Sequence, residues 1–225
     1  METTLHRELK EHYMAQRGGR CEVVVGGYRI DAVGDDGELI EAQNGPLGAL
    51  KGKLRNLLPR YRIRVVKPVV LRRRITRRNK PDGPDISSRW SPLRGDLIDV
   101  FDDLVGLAAL FPHENLNLDI LGVSIEETRT PRRRRPGYRV VDRRLIEIVE
   151  TLRLTQPRDL WEVLPPGLAG SEPFTTRDLA RKLGRPLALA QRVAYCLRLS
   201  GAVETVGKRG NNRLYQARDE TAVPA

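Results

Sequence analysis

The chain has 225 residues, 40 Lys and Arg against 29 Asp and Glu, and a formal charge of +11. At 40% hydrophobic and 31% charged it can bury a core, and its length exceeds the ~150 residues that serve as a prior for one domain, so two compact units are expected. No run approaches the ~18 apolar residues of a membrane span, METTLHRELKEHY is polar rather than leader-like, and Cys21, Cys196 and the three histidines follow neither a disulfide nor a zinc-ligand spacing, so a cytoplasmic protein is expected, without membrane contact or zinc.

In chain order, residues Thr4 to Arg17 place Leu5, Leu9 and Tyr13 on one stripe of an amphipathic helix that Gly18-Gly19 ends. CEVVVGGYRIDAV is two β-rich runs about a glycine pair, the composition of a tight hairpin, and LIEAQ after GDDG is a third strand. Leu47, Leu50, Leu54 and Leu57 recur at helical spacing, and YRIRVVKPVVL is a further strand, with Pro68 best placed at an edge or strand end. The order is αβββαβ. Arg72 to Gly95, rich in Arg, Pro and Gly, reads as a long loop; Asp96 to Phe111 reads as a helix, and LNLDILGVSIEETR as a closing strand.

The first domain is expected to span residues 1–130, followed by an arginine-rich linker over 131–142, a second domain over 143–217 and a flexible tail over 218–225. In the second domain helices are expected over Arg143–Leu154, Thr176–Leu183 and Leu187–Ser200, then a hairpin of AVETV and RLYQA about GKRGNN. Three helices and a hairpin is the winged-helix order. Splitting the chain after Arg129 leaves a net +2 before it and +9 after it, so the second domain is expected to carry most of the positive charge. Side chains of that sign neutralise phosphates with release of counterions, which makes duplex DNA the expected partner.

Asp31 lies in the second strand, and Glu41 and Gln43, two apart, share a face of the third. Two carboxylates converging from neighbouring strands suit Mg²⁺ or Mn²⁺, which bind through one or two carboxylates while water and phosphate complete the shell. With Glu8 on the leading helix, this order resembles the PD-(D/E)XK nuclease superfamily over roughly residues 4 to 71. The run from Tyr28 to Pro68 is similar, more narrowly, to a bacterial branch with an ExQ motif. The resemblance implies a restriction-endonuclease-like α/β (α+β) core in which Asp31 and Glu41 bind metal and the third motif residue positions the attacking water. Gln43 replaces the usual Lys there; Lys53, or Lys51, from the next helix would supply the charge, and Glu8, or after it Glu22, would assist the metal.

In the second domain, FTTRDLA resembles the start of a helix-turn-helix. The helix that follows would present Gln191, Arg192 and Arg198 to a major groove, with Arg185 on a phosphate and Lys208, Arg209 and Arg213 on the wing. The linker run Arg132, Arg133, Arg134 and Arg135 would add phosphate contacts. The expected function is therefore a Mg²⁺-dependent DNA endonuclease. The alternatives are a non-catalytic DNA-binding regulator or adaptor with a degenerate nuclease-like domain, and a homodimer or partner subunit of a defence or repair complex.

Overall fold

A computed structural model of the chain describes residues 3–168 and 172–218. Apart from Arg218, the tail expected over 218–225 lies outside the described residues. The fold is mixed α/β, with five helices and nine strands among the described residues.

Helix α1 (Thr4–Arg17) starts at Thr3, whose hydroxyl accepts from the His6 N–H, and buries Leu5, Leu9, Lys10 and Tyr13. Strands β1 (Arg20–Val25) and β2 (Tyr28–Val33) form a hairpin about Gly26-Gly27. Both glycines have positive φ, 57° and 82°, as a two-residue turn matching strand twist requires. β3 (Leu39–Ala42) pairs antiparallel with β2; a 3-10 turn and α2 (Lys51–Leu57) then cross over to β4 (Ile63–Arg78), parallel to β3.

Pro68 sits inside β4, not at its end. The Val66 carbonyl accepts from Gln43 N, so residues of that parity turn their backbone N–H toward the β3 edge, and β3 has ended at Ala42 opposite Val66. The missing proline N–H therefore falls where no partner strand runs.

The expected loop over Arg72–Gly95 is largely strand: β4 continues to Arg78, and β5 (Asp85–Trp90) folds back antiparallel onto its end. The helix expected over Asp96–Phe111 is broken into a 3-10 turn (Leu97–Val100), opened by an Asp96/Asp99 capping box, and a short α3 (Phe101–Leu104). β6 (Leu116–Pro131) then lies parallel to β4.

The segment that follows departs most from expectation. In place of a linker and a helix over Arg143–Leu154, the chain makes a turn at Arg132–Gly137 and returns as the 17-residue strand β7 (Tyr138–Leu154), antiparallel to β6. The register explains the false helical signal. Three irregularities leave Val141, Ile146 and Val149 without partners in β6, so Leu145 and Ile148, which face the core under α1, fall three apart, and Leu152, four farther on, packs into the core of the opposite face. Bulges thus convert a period of two into an apparent helical one. The three skipped residues are the exposed apolar side chains of this edge strand, and the bulges that expose them also spoil it as a template for further pairing.

The sheet runs β1-β2-β3-β4-β6-β7, with β5 on the remaining edge of β4. One face packs Ile40, Val66, Leu121, Val123 and Ile125 under α1. The other packs Val65, Leu118 and Ile120 against α2, α3 and their flanking turns. A second unit follows Leu154 at once: a 3-10 turn (Pro157–Trp161), α4 (Thr176–Leu183), α5 (Leu187–Ser200), β8 (Val203–Arg209) and β9 (Asn212–Ala217). Leu104, Leu107 and Phe111 from the first unit share one core with Leu160, Cys196 and Leu197 from the second.

Candidate functional site

Ala32 pairs with Ile40, and the next residues in that antiparallel register are Asp31 and Glu41. The strands part here. Asp31 Oδ2 accepts from the Ala42 N–H at 2.9 Å, so the carboxylate stands where a ladder carbonyl would be, and the same oxygen lies 3.1 Å from His6 Nε2 of α1. Burial pushes the Asp31 carboxyl up, but the hydrogen bonds from His6 and Ala42, helped by the charges of His6 and Lys10, outweigh it and hold Asp31 below the ordinary aspartate range. Glu41 goes the other way: burial raises it, the neighbouring Asp31 charge adds to the rise, and the Lys53 hydrogen bond offsets only part. Two adjacent carboxylates are thus driven apart in acidity, the arrangement by which one site holds an anion beside a proton acceptor of higher affinity.

Lys53 reaches the pair from α2. Its Nζ donates to Glu41 Oε1 and to the Arg29 carbonyl, each at 2.7 Å. An ammonium has three donors, so one is left for a water or a phosphate oxygen. The structure therefore brings together Asp31, Glu41 and Lys53 and adds His6. Sequence reasoning passed over His6 because no zinc spacing includes it. Helical spacing was the available signal, since His6 falls with Leu9, Lys10 and Tyr13 on the turns of α1 that face the sheet.

Other expected residues lie elsewhere. Glu8 accepts from the Leu145 N–H at 2.6 Å, holding α1 to β7 rather than joining the pair. Glu22 pairs with Arg29 and Lys10. The Gln43 amide donates to the Pro46 carbonyl within its own turn, and Lys51, at the start of α2, makes no ion pair among the described residues. Among the described residues no cluster of three or more His, Cys, Asp and Glu could hold a metal ion. The donor set of Asp31 and Glu41 still meets the lesser demand of Mg²⁺, which takes one or two carboxylates and fills the rest with water and phosphate.

In the second unit, Gln191, Arg198 and Arg213 line a groove of about 300 Å³ between α5 and the β8-β9 hairpin, together with Tyr195. Arg185 and Arg192 turn away from it. Arg185 pairs with Asp99 and, at 3.8 Å, with Asp96; Arg192 Nη1 meets Asp102 Oδ1 at 2.9 Å. Arg209 is paired with Asp178 at 3.0 Å, while Lys208 extends from the hairpin without an ion pair among the described residues. Arg132, Arg133, Arg134 and Arg135 crown the β6-β7 turn instead of joining two domains. Moving the boundary to Leu154 also moves the charge. Residues 1–155 hold 29 basic and 22 acidic side chains, net +7, and residues 156–225 hold 11 and 7, net +4, so the expected excess in the second unit is overturned.

Residues 3–155 match the family described as Domain of unknown function (DUF8091). The chain belongs to that family. The match covers β7, which the expected boundary at 130 would have cut off, and contains His6, Asp31, Glu41 and Lys53. A protein of Treponema pallidum (strain Nichols) named "Uncharacterized protein" is 34% identical over 219 residues, covering 96% of this chain and 85% of the relative, so the likeness extends beyond the DUF8091 region into the second unit. No solved structure matches the chain.

The DUF8091 region also holds a buried charge network that no motif announces. Arg64 Nε and Nη2 donate to the two Glu38 oxygens at 2.9 and 3.1 Å, and its Nη1 donates to Asp119 at 2.7 Å. Arg17 and Asn117 complete Glu38; Tyr13 Oη and Arg153 complete Asp119. Every charge is paired, which offsets desolvation, and the network pins the end of α1 over β3, β4 and β6. Burial drives the Tyr13 hydroxyl upward and the Asp119 charge adds to it, so Tyr13 remains a neutral donor.

Proposed function

We propose that the chain is a two-unit DNA-binding protein whose first unit is a PD-(D/E)XK-like, Mg²⁺-dependent phosphodiester hydrolase and whose second unit is a winged helix. The observation that carries this reading is the pairing of Lys53 Nζ with Glu41 Oε1 at 2.7 Å beside Asp31: two carboxylates from adjacent strands with a lysine from the following helix. It supports the expectation that a helix lysine supplies the charge that Gln43 lacks. Asp31 and Glu41 would hold the cation, which when bound lowers the pKa of its water and offsets charge developing on the phosphate. Lys53 would use its remaining N–H to orient water or a non-bridging oxygen, and His6 would fix the Asp31 carboxylate. Hydrolysis adds water across one P–O ester bond. In the second unit, the groove bearing Gln191, Arg198 and Arg213 supports duplex contact.

The decisive experiment is cleavage of labelled supercoiled and linear duplex with Mg²⁺ or Mn²⁺, comparing wild type with Asp31→Ala under conditions where both bind. Metal-dependent cutting that disappears in the variant is the expected result, and cutting that survives the substitution refutes the assignment.

A second reading has its own support. Asp31 Oδ2 already accepts from Ala42 N and contacts His6, and the Gln43 amide is committed to Pro46. A site whose donors are satisfied internally suits a non-catalytic DNA-binding adaptor. Tight binding without cutting, unchanged by Asp31→Ala, would select it.

A further inference from the structure

We propose that the distal halves of β4, β6 and β7, with β5, form an arm that grips the phosphate backbone of duplex DNA about one helical turn from the Asp31–Glu41 pair. The proposal rests on the DNA-binding reading above and goes beyond it in naming the surface and its spacing.

Residues 72–94 and 126–147, which make up the arm, hold 16 basic and 6 acidic side chains. Four of the six carboxylates, Glu126, Glu127, Asp142 and Glu147, lie toward its base. Glu127, buried, is ringed by Arg73, Arg129 and Arg143, and Glu126 takes Arg74. Farther out only Asp82 and Asp85, the latter paired with Arg78 at 2.6 Å, face a larger number of cations. Arg77, Arg139 and the run Arg132–Arg135 are exposed and have no ion-pair partner among the described residues. An ordinary solvated strand face would interleave both signs evenly; here most of the acids tie the base together and the tip keeps a net positive charge.

The shape fits a backbone ligand. A cleft of about 430 Å³ opens between β5 and the β6-β7 turn, with Arg77, Arg78 and Arg129 above walls of Ile86, Pro136 and Tyr138. On the other side of the β6 end, Lys80, Arg132 and Arg139 border a second hollow of about 600 Å³. Guanidinium forks match phosphate oxygens bidentately, and cations on both flanks of one strand end suit successive phosphates rather than a single anion.

The sheet fixes the distance. Glu41 is paired with Val65 of β4, and Arg77 lies twelve residues farther along the same strand. At roughly 3.3 Å per residue that is roughly 40 Å, which twist and the irregularity between Val70 and Arg72 shorten. One turn of B-DNA spans about 34–36 Å. A duplex lying along β4 with one phosphate at the carboxylate pair would present the next turn of its backbone to Arg77 and the arginine run.

The test uses the full chain and fluorescence anisotropy on labelled duplexes of roughly 10 and roughly 30 base pairs, about one and three helical turns. The variant replaces Arg132, Arg133, Arg134 and Arg135 by Ser; these side chains are exposed and have no ion-pair partner among the described residues, so a melting curve matching wild type is expected. Arg77→Ala is the second variant. The long duplex should lose at least about tenfold in affinity and the short one far less, with the salt slope falling by about 0.9 for each phosphate contact removed. Unchanged affinity for the long duplex in both variants overturns the arm. Equal loss on both lengths overturns the one-turn spacing. Failure of the wild type to bind any duplex at low salt overturns the DNA-binding reading itself, and the arm with it.

Discussion

Lys53 crosses from α2 to Glu41 on β3, Nζ to Oε1 at 2.7 Å, and so ties the crossover helix to the strand that carries the carboxylate of the site whose pKa is raised. Lys53→Met would leave a buried carboxylate without its cation, a change that costs roughly 3–5 kcal/mol when a buried pair is broken. The folded-state pKa of Glu41 is already raised, and it would rise further. Its ionisation therefore opposes folding above that value, and the penalty shrinks as pH falls and Glu41 takes up a proton. Urea unfolding near pH 8 and near pH 5 should show a large loss at the former and a much smaller one at the latter. A penalty independent of pH would mean that Glu41 is not the group left unpaired.

On the DNA-binding reading proposed above, the contacts of Arg185 and Arg192 with Asp99 and Asp102 put acidic side chains where phosphates would sit. Such half-exposed pairs are worth at most about 1 kcal/mol each. Asp102→Asn should therefore barely change the melting temperature while freeing Arg192, and duplex affinity should rise a few-fold at low salt. Lower affinity, or a large loss of stability, would show that the pair serves the junction of the two units rather than masking a cation.

Glu127 is 1% exposed and meets three guanidinium groups. Burial pushes its carboxyl up, but the hydrogen bonds from Arg143 and Arg129 and the charges around it hold it below the ordinary glutamate value. A depressed pKa contributes stability that is present above the unfolded-state value, about 4.3, and is lost as pH falls through the folded one. The arm should loosen in acid before the rest of the sheet. Trp90, at the end of β5 with Arg72 stacked 4.5 Å from its ring, reports on this if Trp161→Phe removes the other indole. Glu127→Gln should abolish the separate acid step in Trp90 fluorescence; an identical step in that variant would assign it elsewhere.

The two thiols should react at very different rates. Cys21 is exposed on β1, whereas Cys196, inside α5, is 2% exposed and burial pushes its thiol up to about 12. Only the thiolate is nucleophilic, so a disulfide reagent at neutral pH should label one thiol at once and the second only as the chain unfolds. Two fast thiols would contradict the packing of α5 against α3.

Where apolar spacing was regular, the sequence could be read directly: α1, the glycine hairpin, α4 and α5 form where their patterns put them. Asp31, Glu41 and Lys53 were expected together from the resemblance of their strand and helix order to a known superfamily, and the structure brings them together. β7 was not legible, because a bulge sets Leu145 and Ile148 three apart and Leu152, from the opposite face, follows four later, and irregularity of register is a property of the partner strand, not of the segment itself. That one misreading turned a hairpin tip into a linker and moved eight basic residues to the wrong unit. The Arg64 network and the His6–Asp31 contact stayed hidden for a related reason: each joins residues 21 or more apart in the chain that only the fold brings together.

The shared core across Leu154 has a practical side. A chain severed between Leu154 and the 3-10 turn at Pro157 would strip Leu104, Leu107 and Phe111 from Leu160, Cys196 and Leu197, leaving complementary apolar surfaces on two fragments. Neither piece would be well behaved alone, yet each carries the imprint of the other. Co-expressed or mixed, they should find one another and restore the intact molecule by fragment complementation, with no covalent connection needed to hold the halves in register.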